Sequence, residues 1–188
     1  IRSSALASLF NPQDRPMKAK TDSKQIAIFA AGCFWGTEEY FRRLPGVLST
    51  TVGYCGGTTP DPTYEQVCSG TTGHAESLRI EFDPTEISYD QLVRHFFRMH
   101  DPTQRNRQGA DFGTQYRSVI FYQNEEQRII AEKIIAELSA SKKYSKPIVT
   151  EVMPAMPFYP AEEYHQNYLR KNPGGYCHVD LNLAAKPL

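Results

Sequence analysis

The chain has 188 residues, 40% of them hydrophobic and 22% charged, which suits one domain whose core needs no metal or disulfide staple. Lysine plus arginine and aspartate plus glutamate both number 21, with no long block of either sign, so the electrostatic footprint of a nucleic-acid binder is missing. The longest apolar runs, such as Ile26 to Ala31, fall far short of the ~20 residues that span a bilayer, and the expectation is a soluble chain with no membrane partner.

Residues 1–23 read as a flexible lead-in: Ile1 to Phe10 has no apolar stretch of signal-peptide type, and Pro12, Asp14, Pro16 and a polar run follow. A single domain is expected over 24–188. Ile26 to Ala31, ending at Gly32, reads as a buried strand, and Thr37 to Leu44 has helical spacing of Tyr40, Phe41 and Leu44. Pro45 and Gly46 stop that helix, Val47 to Tyr54 is a second strand, and Cys55 to Pro62 is a turn-rich loop. Thr63 to Cys68 forms a helical turn, and the alternation of Leu78, Ile80 and Phe82 predicts a strand with one apolar face.

Ser88 and Gln91 form a capping box for a helix reaching Met99, with Leu92, His95, Phe96 and Met99 on one face. His100 to Gln115 is polar, and a loop of that length in a compact domain is usually functional. Tyr116 to Tyr122 is the next strand, Asn124 to Ser141 an amphipathic helix, Ile148 to Met153 a further strand and Ala161 to Asn172 a last helix. Pro173, Gly174 and Gly175 open a coil-rich tail. The order of the first elements is that of a ferredoxin-like split βαβ unit, which predicts an α+β two-layer domain with a mixed sheet.

The four cysteines, Cys33, Cys55, Cys68 and Cys177, are too sparse for a disulfide scaffold and contain no CxxC pair. A reducing, cytoplasmic setting with reactive or buried thiols is expected. Cys33 lies in Gly32-Cys33-Phe34-Trp35-Gly36, where a strand turns into a helix. Unsatisfied N–H groups and the positive end of the helix dipole favour a thiolate there. Phe34 and Trp35 are candidates to line an apolar pocket. The plainer reading is a buried cysteine between two core aromatics; the strand-to-helix position and the paired glycines outweigh it.

Gly32-Cys33-Phe34-Trp35-Gly36, together with Gly73-His74-Ala75-Glu76 and with Phe158-Tyr159 followed by His165-Gln166, resembles the A-type peptide methionine sulfoxide reductases over about Ile26 to Cys177. The resemblance implies reduction of the S epimer of methionine sulfoxide, free or in peptides and proteins, as repair of oxidised protein. It also implies that thioredoxin returns the enzyme to its thiol state. A sulfoxide sulfur becomes a good electrophile only as its oxygen gains a proton or strong hydrogen bonds. Glu76, Tyr64 and Tyr116 match family positions and supply candidate acids, Glu76 with a pKa raised by burial and coupled to Cys33.

Asp111 matches a substrate-binding position of the family, against an even chance of being an ordinary loop acid. His74 and His165 serve structural hydrogen bonds at least as readily as catalysis. Attack by Cys33 leaves a sulfenic acid, and Cys177, in a glycine-rich tail like the family's, is the second thiol that condenses with it. Cys68 reads as a small buried residue, and Cys55 has no assigned role. No metal or cofactor is called for, and the chain is expected to be a monomer. Two alternatives stay open: a cysteine hydrolase or amidase using Cys33, His165 and Asn167, and a redox-sensing domain without turnover.

Overall fold

The computed structural model describes residues 23–188, so the expected extension over 1–23 lies almost wholly outside the described residues. Six strands form one mixed sheet in the order β7-β6-β1-β3-β2-β8. They are β1 (Gln25–Ala31), β2 (Val47–Cys55), β3 (Ala75–Phe82), β6 (Ser118–Tyr122), β7 (Glu151–Pro154) and β8 (Phe158–Pro160). All neighbours run antiparallel except β6 and β7. A small hairpin, β4 (Arg107–Gln108) and β5 (Asp111–Phe112), stands apart.

β1 lies inside the sheet between β3 and β6, which is why its run Ala27 to Ala31 is apolar on both faces. One face, carrying Ala27, Phe29, Leu78, Ile80, Phe82 and Ile120, packs with α1 (Phe34–Arg42), α3 (Tyr89–Met99) and α4 (Glu125–Ala140) into the main core. The other face carries a smaller cluster around Ile28, Ala30, Val119 and Phe121, with Met153, Met156 and Phe158 against it. Glu76 has the same parity on β3 as Leu78 and Ile80, so its side chain enters the main core beneath the start of α1.

The capping box expected at Ser88 forms, and so does one at Thr63 that was not anticipated. Thr63 Oγ1 accepts from Gln66 N at the start of α2 (Tyr64–Cys68), Ser88 Oγ accepts from Gln91 N at α3, and each glutamine reaches back to its cap N–H. Asn124 caps α4.

Several boundaries differ from the sequence reading. α1 begins at Phe34, three residues before Thr37, with Cys33 as its N-cap. Tyr116 falls in a 3-10 turn (Thr114–Tyr116), and the strand starts at Ser118. Residues 148–150 lie outside β7, and β8 was unforeseen.

The expected helix Ala161 to Asn172 is broken into a 3-10 turn (Glu163–His165) and α5 (Tyr168–Lys171), with Asn167 at φ +54° between them. Tertiary bonds override the helical spacing here. Gln166 accepts from Val52 N and donates to Val52 O, and Asn167 N donates to Glu38 at 2.7 Å. Cys68 is exposed rather than buried, because the apolar side of this single helical turn is carried by Val67.

Candidate active site

The N-terminus of α1 is the centre of the site. Gly32, at φ +88°, turns the chain out of β1, and a Cβ there would lie 2.8 Å from Gln108 Cβ, so the position requires glycine. Cys33 follows, 6% exposed, with the Trp35 N–H directed at its sulfur. Glu76, 1% exposed, accepts the Phe34 N–H at 3.2 Å through Oε1, while Oε2 is buried without a partner. Burial pushes the Glu76 carboxyl up to about 8, opposed by the Phe34 N–H and reinforced by the charge of Asp111. It therefore holds its proton at neutral pH.

Burial also pushes the Cys33 thiol well above its ordinary range, and Glu76, then Asp111 and Cys177, add to this against the opposing Trp35 N–H. The expectation of a resting thiolate is thus corrected. One helix terminus supplies a partial charge, whereas burial removes nearly all of the water that would solvate a full one.

Tyr64 on α2 and Tyr116 before β6 are both half-buried, and burial followed by the Glu76 charge raises both phenols. Tyr116 is also within electrostatic reach of Cys33 and Asp111, so the structure brings all of these residues together. Asp111, on β5, accepts a hydrogen bond from Tyr176 Oη at 2.9 Å. That contact ties the polar loop to the C-terminal tail.

Cys177 is a free thiol whose Sγ donates to Val179 O at 3.4 Å and packs against α1. A Cβ on Gly36 would meet that sulfur at 2.9 Å, so the glycine three residues after Cys33 is what lets the tail approach. His178 Nε2 lies 2.9 Å from Ala31 O and anchors the tail to the end of β1.

Phe34 is wholly buried, against Tyr54 and His165, and sits beneath the surface rather than on it. Trp35 is half-buried; its indole stacks on Tyr168 with centroids 3.8 Å apart, and Nε1 donates to His165 Nδ1 at 3.0 Å.

The comparisons with known proteins give this chain a family. A family model described as peptide methionine sulfoxide reductase covers residues 25–188. The chain belongs to the peptide methionine sulfoxide reductase family. A peptide methionine sulfoxide reductase MsrA of Geobacter sulfurreducens is 55% identical over 155 residues, 82% of this chain and 96% of that one. Mxr1 of Saccharomyces cerevisiae, solved in reduced form, superposes with a TM-score of 0.79 at 39% identity, covering 85% of this chain and 91% of that one. A second Mxr1 structure, in complex with Trx2, matches with a TM-score of 0.57 at 28% identity, covering 82% and 91%.

Within this reductase-family site the Cys-His-Asn arrangement of a hydrolase does not form. His165 Nδ1 is taken by Trp35, its ring lies among Phe34, Trp35, Tyr64 and Tyr164, and Asn167 Oδ1 accepts from Arg42 instead. His74 is a structural residue: Nδ1 accepts from Gly57 N and Nε2 contacts Thr59 O.

Sequence reasoning missed Glu162, which accepts from Tyr54 Oη and Tyr64 N and so fixes α2 beside the site. It also missed Tyr168, Tyr176, Gln108 and His178. Each is joined to the site by a contact between residues far apart in the chain, for which no local pattern exists. Among the described residues, no group of three or more His, Cys, Asp or Glu is arranged for a metal, and no helix is long and apolar enough to cross a membrane.

Proposed function

We propose that this chain is a thioredoxin-dependent peptide-methionine (S)-S-oxide reductase with Cys33 as nucleophile. The observation that carries the reading is the buried pair of Cys33 and Glu76 at the first turn of α1, with the Cys177 sulfur against the same turn. The Cys33 sulfur attacks the sulfoxide sulfur and forms a bond to it, while Glu76 gives its proton to the sulfoxide oxygen and takes in its place the proton that the thiol loses. Tyr64 and Tyr116 hydrogen-bond that oxygen.

The sulfur–sulfur bond made in the attack and the substrate's sulfur–oxygen bond then both break as the hydroxyl passes to Cys33, so that methionine leaves and Cys33 becomes a sulfenic acid. The Cys177 thiol attacks the Cys33 sulfur, water departs, and a disulfide forms. Thioredoxin, supplying two electrons and two protons, restores both thiols; the Mxr1 complex with Trx2 supports that partner. Trp35 provides the apolar surface for the substrate methyl group, with Phe34 supporting it from beneath, and Asp111 binds the substrate's polar backbone.

Four free cysteines support residence in a reducing compartment such as the cytoplasm. The strand order β6-β1-β3-β2, with α1 and α3 on one face, supports the ferredoxin-like two-layer reading of the core and a single catalytic domain over 24–188.

The test is turnover of the two epimers of a methionine sulfoxide peptide with thioredoxin or dithiothreitol. Loss of the S epimer alone is expected. Loss of neither epimer would leave the redox-sensing reading, and loss of both at equal rates would contradict the assigned stereochemistry.

A further inference from the structure

Beyond Cys177, the tail is held to the rest of the domain by hydrogen bonds at two points. The near one is His178 on Ala31 O; the far one is Arg98, on the last turn of α3, which gathers three backbone carbonyls from the chain beyond Cys177. Nη1 donates to Pro187 O at 2.9 Å, and Nη2 donates to Lys186 O at 2.9 Å and to Leu183 O at 2.5 Å. These carbonyls surround the 3-10 turn Leu181–Ala185, which packs against both α1 and α3.

The guanidinium is itself fixed from behind. Nε and Nη2 both lie 3.2 Å from Tyr40 Oη, which is buried on α1 and lies 2.8 Å from His95 Nδ1. With both Nη2 hydrogens on the tail carbonyls, the Nε–H on the tyrosine oxygen sends the hydroxyl hydrogen to the histidine nitrogen, giving a chain from Arg98 through Tyr40 to His95. Only a planar group with several fixed donors can hold so many acceptors at once.

We propose that Arg98 clamps the chain beyond Cys177 and is a positioning residue for disulfide formation. This rests on the reading of Cys177 as the resolving thiol. Arg98 has no hydrogen bond to Cys33, Glu76 or the two site tyrosines, so it has no part in the first attack. Its effect is on the second step. With its far end fixed, the tail keeps the Cys177 thiol at a high local concentration beside the Cys33 sulfenic acid; with that end loose, the thiol samples a larger volume.

The experiment uses the full chain with Arg98→Met and Arg98→Lys. In a single turnover of methionine-S-sulfoxide peptide without reductant, methionine release and loss of free thiols are followed separately, with dimedone trapping of the sulfenic acid. Arg98→Met should release one equivalent of methionine at the parent rate, then form the Cys33–Cys177 disulfide on the order of tenfold more slowly, with a matching rise in the dimedone adduct. Arg98→Lys, which keeps the charge but fewer directed donors, should fall between the two.

Amide hydrogen exchange should show protection lost over residues 181–187 and kept in α1 and α3. Equal slowing of both steps, or loosening of α1 and α3, would make Arg98 a general structural residue and overturn the clamp, as would an unchanged disulfide rate. If the parent itself forms no Cys33–Cys177 bridge, the reading of Cys177 fails instead, and the two failures are told apart by that control.

Discussion

Glu76→Gln should have opposite effects on rate and on stability. The carboxyl is 1% exposed, accepts only the Phe34 N–H and titrates at about 8 against an ordinary 4.5. At pH 7 it is therefore about nine-tenths protonated, and its proton is available to a sulfoxide oxygen. Glutamine keeps the shape and still accepts the Phe34 N–H through its carbonyl, but transfers no proton. The first step should fall by ~10²- to 10⁴-fold, the usual contribution of general acid catalysis, with a much smaller change in substrate binding.

The linkage has a definite sign. Because the folded carboxyl titrates above its unfolded value, the stability it contributes is complete below pH 4.5 and is lost as pH rises through 8, by roughly 5 kcal/mol in all. Glutamine has no charge to bury and escapes that loss. Urea unfolding of both proteins at pH 5 and pH 9 should show the variant gaining on the parent by several kcal/mol at the higher pH, while rapid-quench single turnovers show the slowed chemistry. Unfolding curves that stay parallel between the two pH values, or an unchanged single-turnover rate, would refute the reasoning.

The parent's single-turnover rate should itself decline as pH rises through about 8, since the acid form of Glu76 is then lost. Trp35→Ala should lower kcat/KM for methionine sulfoxide by roughly ten- to a hundredfold, the worth of a small apolar contact, while leaving alkylation of Cys33 intact. Gly36→Ala adds a Cβ 2.9 Å from the Cys177 sulfur, and the overpacking cost of about 1–3 kcal/mol is partly offset by alanine's helix preference of about 1 kcal/mol. The net destabilisation should be about 0–2 kcal/mol, while disulfide formation slows, as followed by loss of free thiols. Cys177→Ser should still release one equivalent of methionine and then stall at a dimedone-reactive Cys33; full thioredoxin-dependent turnover in that variant would transfer the resolving role to another thiol.

The parts of this molecule that were legible in the sequence are those governed by local pattern. The apolar run of β1, the capping box of α3 and the alternation along β3 depend on neighbours within a few residues, and the same alternation puts Glu76 on the core face. The glycines beside Cys33 likewise marked a turn into a helix. What escaped depends on contacts across the chain.

The last expected helix gave way because Gln166 and Asn167 bond to β2 and α1 more than a hundred residues away. Cys68 was placed inside on residue type alone, though a one-turn helix buries little beyond Val67. The direction of the Cys33 shift needed the depth of the site and its neighbours Glu76, Asp111 and Cys177, none of which the helix-start signal contains.

The central claim is that the Cys33 sulfur takes the oxygen from the substrate. Cys33→Ser tests it directly: the variant, shown by circular dichroism to be folded, is mixed in excess with a methionine-S-sulfoxide peptide, and methionine formation is measured over a single turnover. A hydroxyl with no adjacent base is a poor nucleophile, so no methionine should form. Methionine released at anything near one equivalent would contradict the account.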